Sequence, residues 1–286
     1  MKKTETILKK KLIEELGFYF KNSSEFSKKQ FDTILQRWSD DTLFSEKHRF
    51  DLLNLFIDDL KDKKILDMAA GCGSFVIQGL LHGYDTYGVE PEDWKHELID
   101  AKFEENAHRS EWRSRIVVGY GENLPFENET FDAFDSWQTI EHVGNEQDCI
   151  NELYRVLKKD GKGILRGPNY KCFYEGHYRM FWFPMMGESN FAKKYLTLRG
   201  RPLEGLKTFH PVNPKKIRKY AKAAGFRVVN IKKFQIDQAL KRKMPFLSKS
   251  FFKPSLWLFY QLWDLYKGIK NFGRVEATIS YLLIKN

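Results

Sequence analysis

Apolar positions in this chain of 286 residues recur first at helical spacing and later in short runs. Leu8, Leu12, Ile13 and Leu16 recur at the spacing of a helix that ends before Gly17, and a second helix is predicted to start near Ser45. We therefore expect residues 1–60 to form a helical N-terminal cap. The apolar positions of the second helix are Phe50, Leu53, Phe56, Ile57 and Leu60.

From Lys64 onward, short apolar runs alternate with helical stretches. This alternation is typical of an α/β fold, a parallel sheet with helices on both faces. Asn145 is expected to start one helix that Gly161 ends, and Asn213 to start another that Gly225 ends. The predicted strands cover 64–68, 86–90, 116–118, 131–137, 163–166, 226–236 and 277–284, and a further helix covers 75–81.

Two segments interrupt the alternation within the predicted second domain, residues 61–286. Residues 168–210 are irregular and rich in aromatic residues and histidine, so we interpret them as a lid over an acceptor site. Residues 240–272 are basic and aromatic. Both are treated as insertions into that domain.

Composition narrows the class of protein. Hydrophobic residues make up 42% and charged residues 30%, which is ordinary for a globular protein. Three scattered cysteines favour neither a disulfide framework nor a zinc site, and no metal-ligand spacing of His and carboxylates is evident. The sequence has no apolar run of about 20 residues and no secretory signal, so we expect a cytoplasmic protein that binds no metal.

Much of the positive charge lies in one segment. The chain has a net charge of +10, and residues 241–274 hold eight basic residues against the single acid Asp264, together with nine aromatic residues. An anionic membrane surface would suit this pattern and would make the protein peripheral. Nucleic acid is a less favoured partner, and a helical cap with core aromatics and solvated lysines is the structural alternative.

A turn of small residues follows the first predicted strand. Asp67, Ala69, Gly71 and Gly73 are spaced by twos, which is a poor match to the G-x-G-x-x-G pattern of dinucleotide sites. Such a turn lets the backbone approach a ligand, and Glu90 at the end of the next strand can bind both hydroxyls of a ribose. Alternatively, Asp67 organises the loop and Glu90 is a solvated strand end.

Five blocks in this order resemble the class I S-adenosylmethionine-dependent methyltransferases, in particular their quinone- and sterol-methylating branch. The blocks are I-L-D-M-A-A-G-C-G-S-F, Y-G-V-E-P, the stretch 119–134, I-E-H-V and E-L-Y-R-V-L-K-K-D-G-K-G-I-L. The resemblance implies a Rossmann-like fold, with a mostly parallel seven-stranded sheet whose last strand is antiparallel. It also implies S-adenosyl-L-methionine as the methyl donor.

The resemblance assigns cofactor contacts residue by residue. The chain departs from the family pattern at Ala69, which stands where the first glycine is usual, and at Tyr120, which replaces the acid that meets the adenine. Gly121 or Glu122 would then supply that contact, or Tyr120 would stack. The positions assigned to the cofactor are Asp67, Ala69, Gly71, Gly73, Glu90, Pro91, Tyr120, Gly121, Glu122 and Trp137.

Methyl transfer from a sulfonium is an in-line displacement that requires alignment and exclusion of water. His142 and His177 are the candidate bases, against the alternatives of a histidine packed at a helix start and of a lid core. Gln138, Tyr174, Tyr178 and Arg179 are assigned to the acceptor.

The expected activity is O-methylation of a small or lipid-attached acceptor. The acceptor would be a quinone or isoprenoid precursor or a lipid-linked glycan. The alternative is an RNA methyltransferase that uses the basic aromatic segment to bind nucleic acid.

Overall fold

The structure is a computed structural model that describes residues 2–20, 28–170, 173–183, 186–231, 234 and 278–286. The predicted basic aromatic segment, residues 240–272, lies outside the described residues. No helix among the described residues has both the length and the apolar character needed to cross a membrane.

Seven strands form one sheet in the order β3-β2-β1-β4-β5-β9-β8. Neighbours from β3 to β5 pair in parallel, whereas β9 runs antiparallel to both β5 and β8. The predicted fold class, a mostly parallel sheet with an antiparallel last strand, is therefore confirmed. The strands are β1 Lys64–Met68, β2 Asp85–Glu90, β3 Ile116–Val118, β4 Phe131–Trp137, β5 Leu157–Pro168, β8 Phe226–Asn230 and β9 Thr278–Lys285.

Helices cover both faces of the sheet. On one face, α3 (Lys47–Asn54) and α4 (Ser74–Leu81) bury Phe50 and Phe75 against β1, β4 and β5, and α5 (Asp93–Asn106) packs beside α4. On the other face, α6 (Glu146–Val156) and α8 (Pro214–Ala224) pack on Leu66, Phe134 and Leu165. The two apolar layers fix the sheet so that the carboxyl ends of β1, β2 and β4 meet at one edge.

The N-terminal residues form α1 (Lys3–Gly17) and α2 (Lys28–Ser39) ahead of α3. Leu8, Leu12 and Leu16 are buried, whereas Ile13 of the predicted set is 54% exposed, and α1 packs on α5 and α2. The helix predicted from Ser45 begins later and ends earlier than expected. It ends at Asn54 because the backbone turns there, so Ile57 and Leu60 join the core from outside the helix.

Two further predictions are corrected. Gly161 does not end α6, because the helix stops at Val156 and the chain enters β5 at once. The segment 168–210 is more regular than expected, since it holds a hairpin of β6 (Tyr174–Glu175) and β7 (Met180–Phe181) and the helix α7 (Asn190–Leu198). The boundaries of the cap and of the insertions stay predictions.

Candidate active site at the carboxyl edge of the sheet

The loop between β1 and α4 turns through left-handed backbone conformations. The φ angles of Ala69, Gly71 and Gly73 are 64°, 57° and 74°. A Cβ atom added at Gly71 would meet no atom within 4 Å, so the loop faces open space there. This conformation explains why glycine is the usual residue at the position of Ala69, and it leaves room for a ligand beside the N-terminus of α4.

Glu90 lies at the end of β2, next to this loop. Its carboxylate is buried, and its Oε2 accepts a hydrogen bond from the Gly71 N–H at 2.8 Å. The Oε1 atom accepts from Lys95 Nζ and from the Glu92 N–H, each at 3.2 Å. Glu90 is therefore not a solvated strand end, because its charge is held against the glycine loop. Pro91, half-buried, follows it directly.

Asp67 lies in β1 below the loop and is part of a buried ion network. Arg49 of α3 donates through Nη2 to Asp67 Oδ1 and through Nε to Asp135 Oδ2, both at 2.5 Å. The same guanidinium lies 3.5 Å from Glu46 and stacks 4.1 Å over the ring of Phe75. Burial raises the pKa of both aspartates, and Arg49 opposes that rise. The network supports the interpretation of Asp67 as a loop organiser.

The loop after β3 carries the residues predicted to meet an adenine. Tyr120 is 63% exposed, and a Cβ atom at Gly121 would lie 3.1 Å from Cys149 Sγ, so the chain passes close to α6 there. Glu122 accepts through Oε1 from the N–H groups of Gly144 and Asn145 and thus fixes the approach to α6. Its assignment to the adenine stays a prediction.

Trp137 and Gln138 end β4. The ring of Trp137 is covered by the Arg166 guanidinium at 3.8 Å and lies on the side of the sheet that α3 covers, with His48 at 4.9 Å between ring centroids. Gln138 is exposed and adopts a φ of 55°, which turns the chain away from the sheet. The sharp turn brings residues 139–142 across the edge of the sheet.

A cluster of titratable side chains lies where this turn meets the lid, residues 168–210. Glu141, His142 and His177 each offer one ligand atom, and these atoms all lie within 4.8 Å of one another. His142 Nε2 is 3.9 Å from Glu141 Oε1, and the two imidazole rings cross edge to face at 5.5 Å. The sequence predicted the two histidines, but it gave no sign that they would meet.

Each histidine is held at Nδ1. His142 Nδ1 contacts the Thr208 carbonyl oxygen at 2.6 Å, and His177 Nδ1 contacts Glu175 Oε1 at 2.7 Å. Both partners only accept hydrogen bonds, so Nδ1 carries the hydrogen and Nε2 is the nitrogen left for a ligand. Glu175 is itself buried and also accepts from the N–H of Tyr178.

The electrostatic environments of the three groups differ. Burial lowers the pKa of His142, although two-fifths of its side chain remains accessible. Burial also tends to lower the pKa of His177, but the hydrogen bond and the charge of Glu175 raise it overall. Burial raises the pKa of Glu141 to about 7, and Glu141 Oε2 is buried without a hydrogen-bond partner among the described residues. The cluster therefore contains a buried carboxylate with unused acceptor capacity.

The other lid residues predicted to bind the acceptor lie in different environments. Tyr178 is fully buried, and its hydroxyl donates to the Pro202 carbonyl, so its predicted role in the acceptor site is corrected to one in the core of the lid. Tyr174 is half-buried in β6. Arg179 borders a shallow cavity of about 170 Å³ whose lining also includes Leu12, Leu16, Tyr19, Phe20 and His177. A larger, charged hollow of about 290 Å³ lies around Asp59 and Lys162, away from this chemistry.

Sequence reasoning missed three residues of this region. Arg49 precedes the first block by 16 positions, and nothing in its own helix marks it as a partner of Asp67. Tyr19, which follows α1 by two residues, stacks on the His177 ring at 5.3 Å, a contact across 158 positions of chain. Glu141 could have been found, because it lies inside the I-E-H-V block next to His142.

Comparison with known proteins identifies a methyltransferase domain in the central part of the chain. Residues 66–165 match the family described as "Methyltransferase domain". The chain is 31% identical over 147 residues to the 2-methyl-6-phytyl-1,4-hydroquinone methyltransferase of Spinacia oleracea, covering 50% of this chain and 40% of the relative. It is 29% identical over 132 residues to the ubiquinone/menaquinone biosynthesis C-methyltransferase UbiE of Cereibacter sphaeroides, covering 44% and 52%. The chain thus spans about half the length of these relatives.

Solved structures share the fold. A phosphoethanolamine N-methyltransferase 2 of Haemonchus contortus, in complex with phosphomonomethylethanolamine and S-adenosylhomocysteine, superposes with a TM-score of 0.51 at 17% identity, over 84% of this chain and 53% of that one. The YcgJ protein of Bacillus subtilis superposes with a TM-score of 0.50 at 15% identity, over 84% and 99%. At these identities the likeness concerns the fold alone.

Proposed function

We propose that this chain, which belongs to the class I S-adenosylmethionine-dependent methyltransferases, methylates a hydroxyl of a hydroquinone-type acceptor. The observation that carries the proposal is the buried Glu90 carboxylate against the left-handed loop at Gly71, with Glu141, His142 and His177 at the same edge of the sheet. The Glu90 carboxylate and the loop suit a nucleoside ligand, and the cluster of Glu141, His142 and His177 suits a hydroxyl group.

S-adenosyl-L-methionine would lie along the ends of β1, β2 and β4. The Glu90 carboxylate has four acceptor positions and uses three, so binding of the ribose diol would engage the free position and displace a present donor. Gly71 would leave the backbone open to the methionine part, whereas Gly73 serves the turn, and Tyr120 and Gly121 would border the adenine. Asp67 would act through the loop that it holds.

The transfer is a displacement at the methyl carbon. An oxygen lone pair of the acceptor forms the new O–C bond while the C–S bond breaks with its electron pair passing to sulfur, which leaves S-adenosylhomocysteine. The hydroxyl proton leaves to a base or to water. His142 and His177 are the proposed activating residues, since their Nε2 atoms are the nitrogens left for such an interaction. Fixed geometry of this kind supplies much of the rate of such reactions.

Two observations support a hydroquinone with an isoprenoid tail. The named relatives act on hydroquinones or in quinone biosynthesis. The cavity beside His177 is lined in part by the apolar side chains of Leu12, Leu16, Phe20 and Ile34, together with the charged residues Glu15 and Arg179. A phenolate is nucleophilic at oxygen and at the ring carbon beside it, so C-methylation, the reaction in the name of the bacterial relative, is the competing outcome. A lipid-linked glycan is the other acceptor to be tested.

Calorimetric titration tests the cofactor. Wild-type protein should bind S-adenosylmethionine and S-adenosylhomocysteine, and Glu90→Gln should weaken both by at least tenfold, because a hydrogen bond to a charged group contributes about 1.5–3 kcal/mol. Glu92→Gln is the matched control, since this exposed carboxylate lies two residues away and faces Lys95. Equal affinity of wild type and Glu90→Gln would contradict the assignment.

A methyl-transfer assay tests the acceptor. Protein, labelled donor and either a prenylated hydroquinone, its tail-free analogue or an undecaprenyl-linked glycan are compared, and NMR of the product identifies the methylated atom. We expect O-methylation of the prenylated hydroquinone at the highest rate. Label on carbon would correct the methylated position, and label on the glycan alone would replace the acceptor class.

We also propose that residues 241–274 bind an anionic membrane surface, which would bring the protein to a lipid-attached acceptor. The net charge of +7 and the nine aromatic residues of this segment support the proposal. Flotation with phosphatidylglycerol vesicles should exceed flotation with phosphatidylcholine vesicles, and substitution of Lys241, Arg242 and Lys243 by Gln should reduce it. Unchanged flotation together with salt-sensitive RNA binding would instead favour the RNA methyltransferase.

A further inference from the structure

We propose that Glu141, His142 and His177 form a binding site for a divalent transition-metal ion of the zinc type, and that this ion holds the acceptor oxygen. The proposal rests on the proposed function for the role of the ion, and on geometry for the site itself. Two imidazoles and one carboxylate leave one position of a tetrahedral ion open, as in catalytic zinc sites.

The first argument is the orientation of the histidines. A metal-bound imidazole normally donates its other ring N–H to a carboxylate or a backbone carbonyl. His177 has such a partner in Glu175 and His142 in the Thr208 carbonyl, at 2.7 Å and 2.6 Å. Glu175 is in turn fixed by the N–H of Tyr178. Both rings are therefore held with Nε2 left for a ligand.

The second argument is the carboxylate. Glu141 is 1% exposed, and its Oε2 has no hydrogen-bond partner in the part of the chain that the structure describes. A buried carboxylate oxygen without a partner is costly, and a bound cation would remove that cost. The described residues place no lysine or arginine in ion-pair contact with Glu141, whose one ion-pair contact is His142 at 3.9 Å.

The third argument is distance. Ligand atoms around a tetrahedral zinc ion lie roughly 3.4 Å apart, since Zn–N and Zn–O bonds are about 2.0–2.1 Å long. The three groups, within 4.8 Å, would have to approach by about 1.4 Å at most. Glu141 and His142 belong to the edge of the sheet, whereas His177 belongs to the turn between β6 and β7, so this approach would draw the lid toward the sheet.

The ion would have a definite role in the proposed reaction. A hydroxyl bound to a zinc-type ion loses its proton to water more readily, and the resulting oxygen anion is held in place for the methyl group. Direct base catalysis by His142 is the alternative. The two mechanisms compete for the same Nε2 lone pair, so metal binding distinguishes them.

The test is calorimetric titration of the full chain, first treated with chelator, with Zn²⁺ and separately with Mg²⁺. We expect one Zn²⁺ per chain and at least tenfold weaker binding of Mg²⁺, because imidazole ligands suit zinc better. Co²⁺ should give the visible absorption of a tetrahedral site. Glu141→Gln and His177→Ala should each weaken Zn²⁺ binding at least tenfold, and the control His82→Ala, at the end of α4, should not.

Circular dichroism and S-adenosylmethionine binding show which variants are folded. If Glu141→Gln or His177→Ala does not fold, His142→Asn is tested in its place. The proposal is overturned if wild type takes up no Zn²⁺, or if Glu141→Gln and His177→Ala bind it as wild type does. If the protein binds zinc but not the cofactor, the metal site is supported and the proposed function is refuted. If it binds the cofactor but not zinc, the metal site is refuted, the proposed function is retained, and His142 is favoured as the base.

Discussion

Replacing Arg49 by methionine tests the ion network below the glycine loop. The substitution keeps an unbranched side chain and removes its charge, which leaves the carboxylates of Asp67 and Asp135 buried without their shared partner. Loss of one side of a buried ion pair costs about 3–5 kcal/mol. Against a total stability of about 5–15 kcal/mol, this is a large fraction. Urea denaturation should detect it directly, and the melting temperature should fall by roughly 10 °C.

The stability deficit of Arg49→Met should also depend on pH, in a direction that the pKa of Asp67 determines. Burial already raises the pKa of Asp67 to about 7, and removal of Arg49 raises it further. The folded variant then retains a proton that the unfolded chain, with an aspartate pKa of about 3.9, has released. Unfolding free energy therefore increases as the pH falls from 8 to 5, and the deficit of Arg49→Met relative to wild type should narrow over that range.

Arg37→Met is the matched control. Arg37 also binds the Glu46 carboxylate, at 2.8 Å, but 44% of its side chain is exposed. An exposed partner of this kind contributes at most about 1 kcal/mol. Equal losses for Arg37→Met and Arg49→Met, or a deficit that widens toward pH 5, would refute the reasoning.

Three further outcomes can be measured in the same denaturation assay. Ala69→Val should lower the unfolding free energy by about 1–2 kcal/mol, because a β-branched residue is strained at a φ of 64°, whereas Ala69→Gly should be tolerated. Asn145→Ala should cost about 1 kcal/mol, since the Asn145 side chain accepts from the first N–H groups of α6. S-adenosylmethionine at 100 times its dissociation constant should raise the unfolding free energy by about 2.7 kcal/mol, and the same concentration should stabilise Glu90→Gln less.

The parts of the fold that the sequence predicted well are those with strong local signals. The strands β1, β3 and β4 have the predicted bounds. β3 is a continuous apolar run, whereas β1 and β4 are short apolar runs interrupted by aspartates. The junction of α6 and β5 was missed because no glycine or proline separates the two elements, and the first such residue, Gly161, lies inside the strand. In the lid, Ser189 caps α7, but the aromatic residues around it obscured the helical period.

In the candidate site, too, the residues with strong local sequence signals were predicted and those brought together by packing were not. The glycine loop and Glu90 lie within 22 positions of chain, so their order alone predicted that they would meet. Arg49, Tyr19 and His177 reach the site through the packing of separate helices and a lid, and such contacts leave no trace in local spacing. The contact between Glu122 and the Gly144 N–H is likewise not predictable from local spacing, because it depends on how β4 and α6 are joined.

The position of β9 has a consequence for synthesis on the ribosome. β9 lies between β5 and β8 in the sheet, yet it follows β8 in the chain by 47 residues. In the sheet, β8 pairs with β9 alone among the described strands, so β8 has no strand to join when it leaves the exit tunnel. Closing a loop of that length is slow relative to local pairing. The growing polypeptide must therefore hold an unpaired apolar edge on β5 until residues 278–285 emerge, and translation pauses in that interval should lower the yield of native protein.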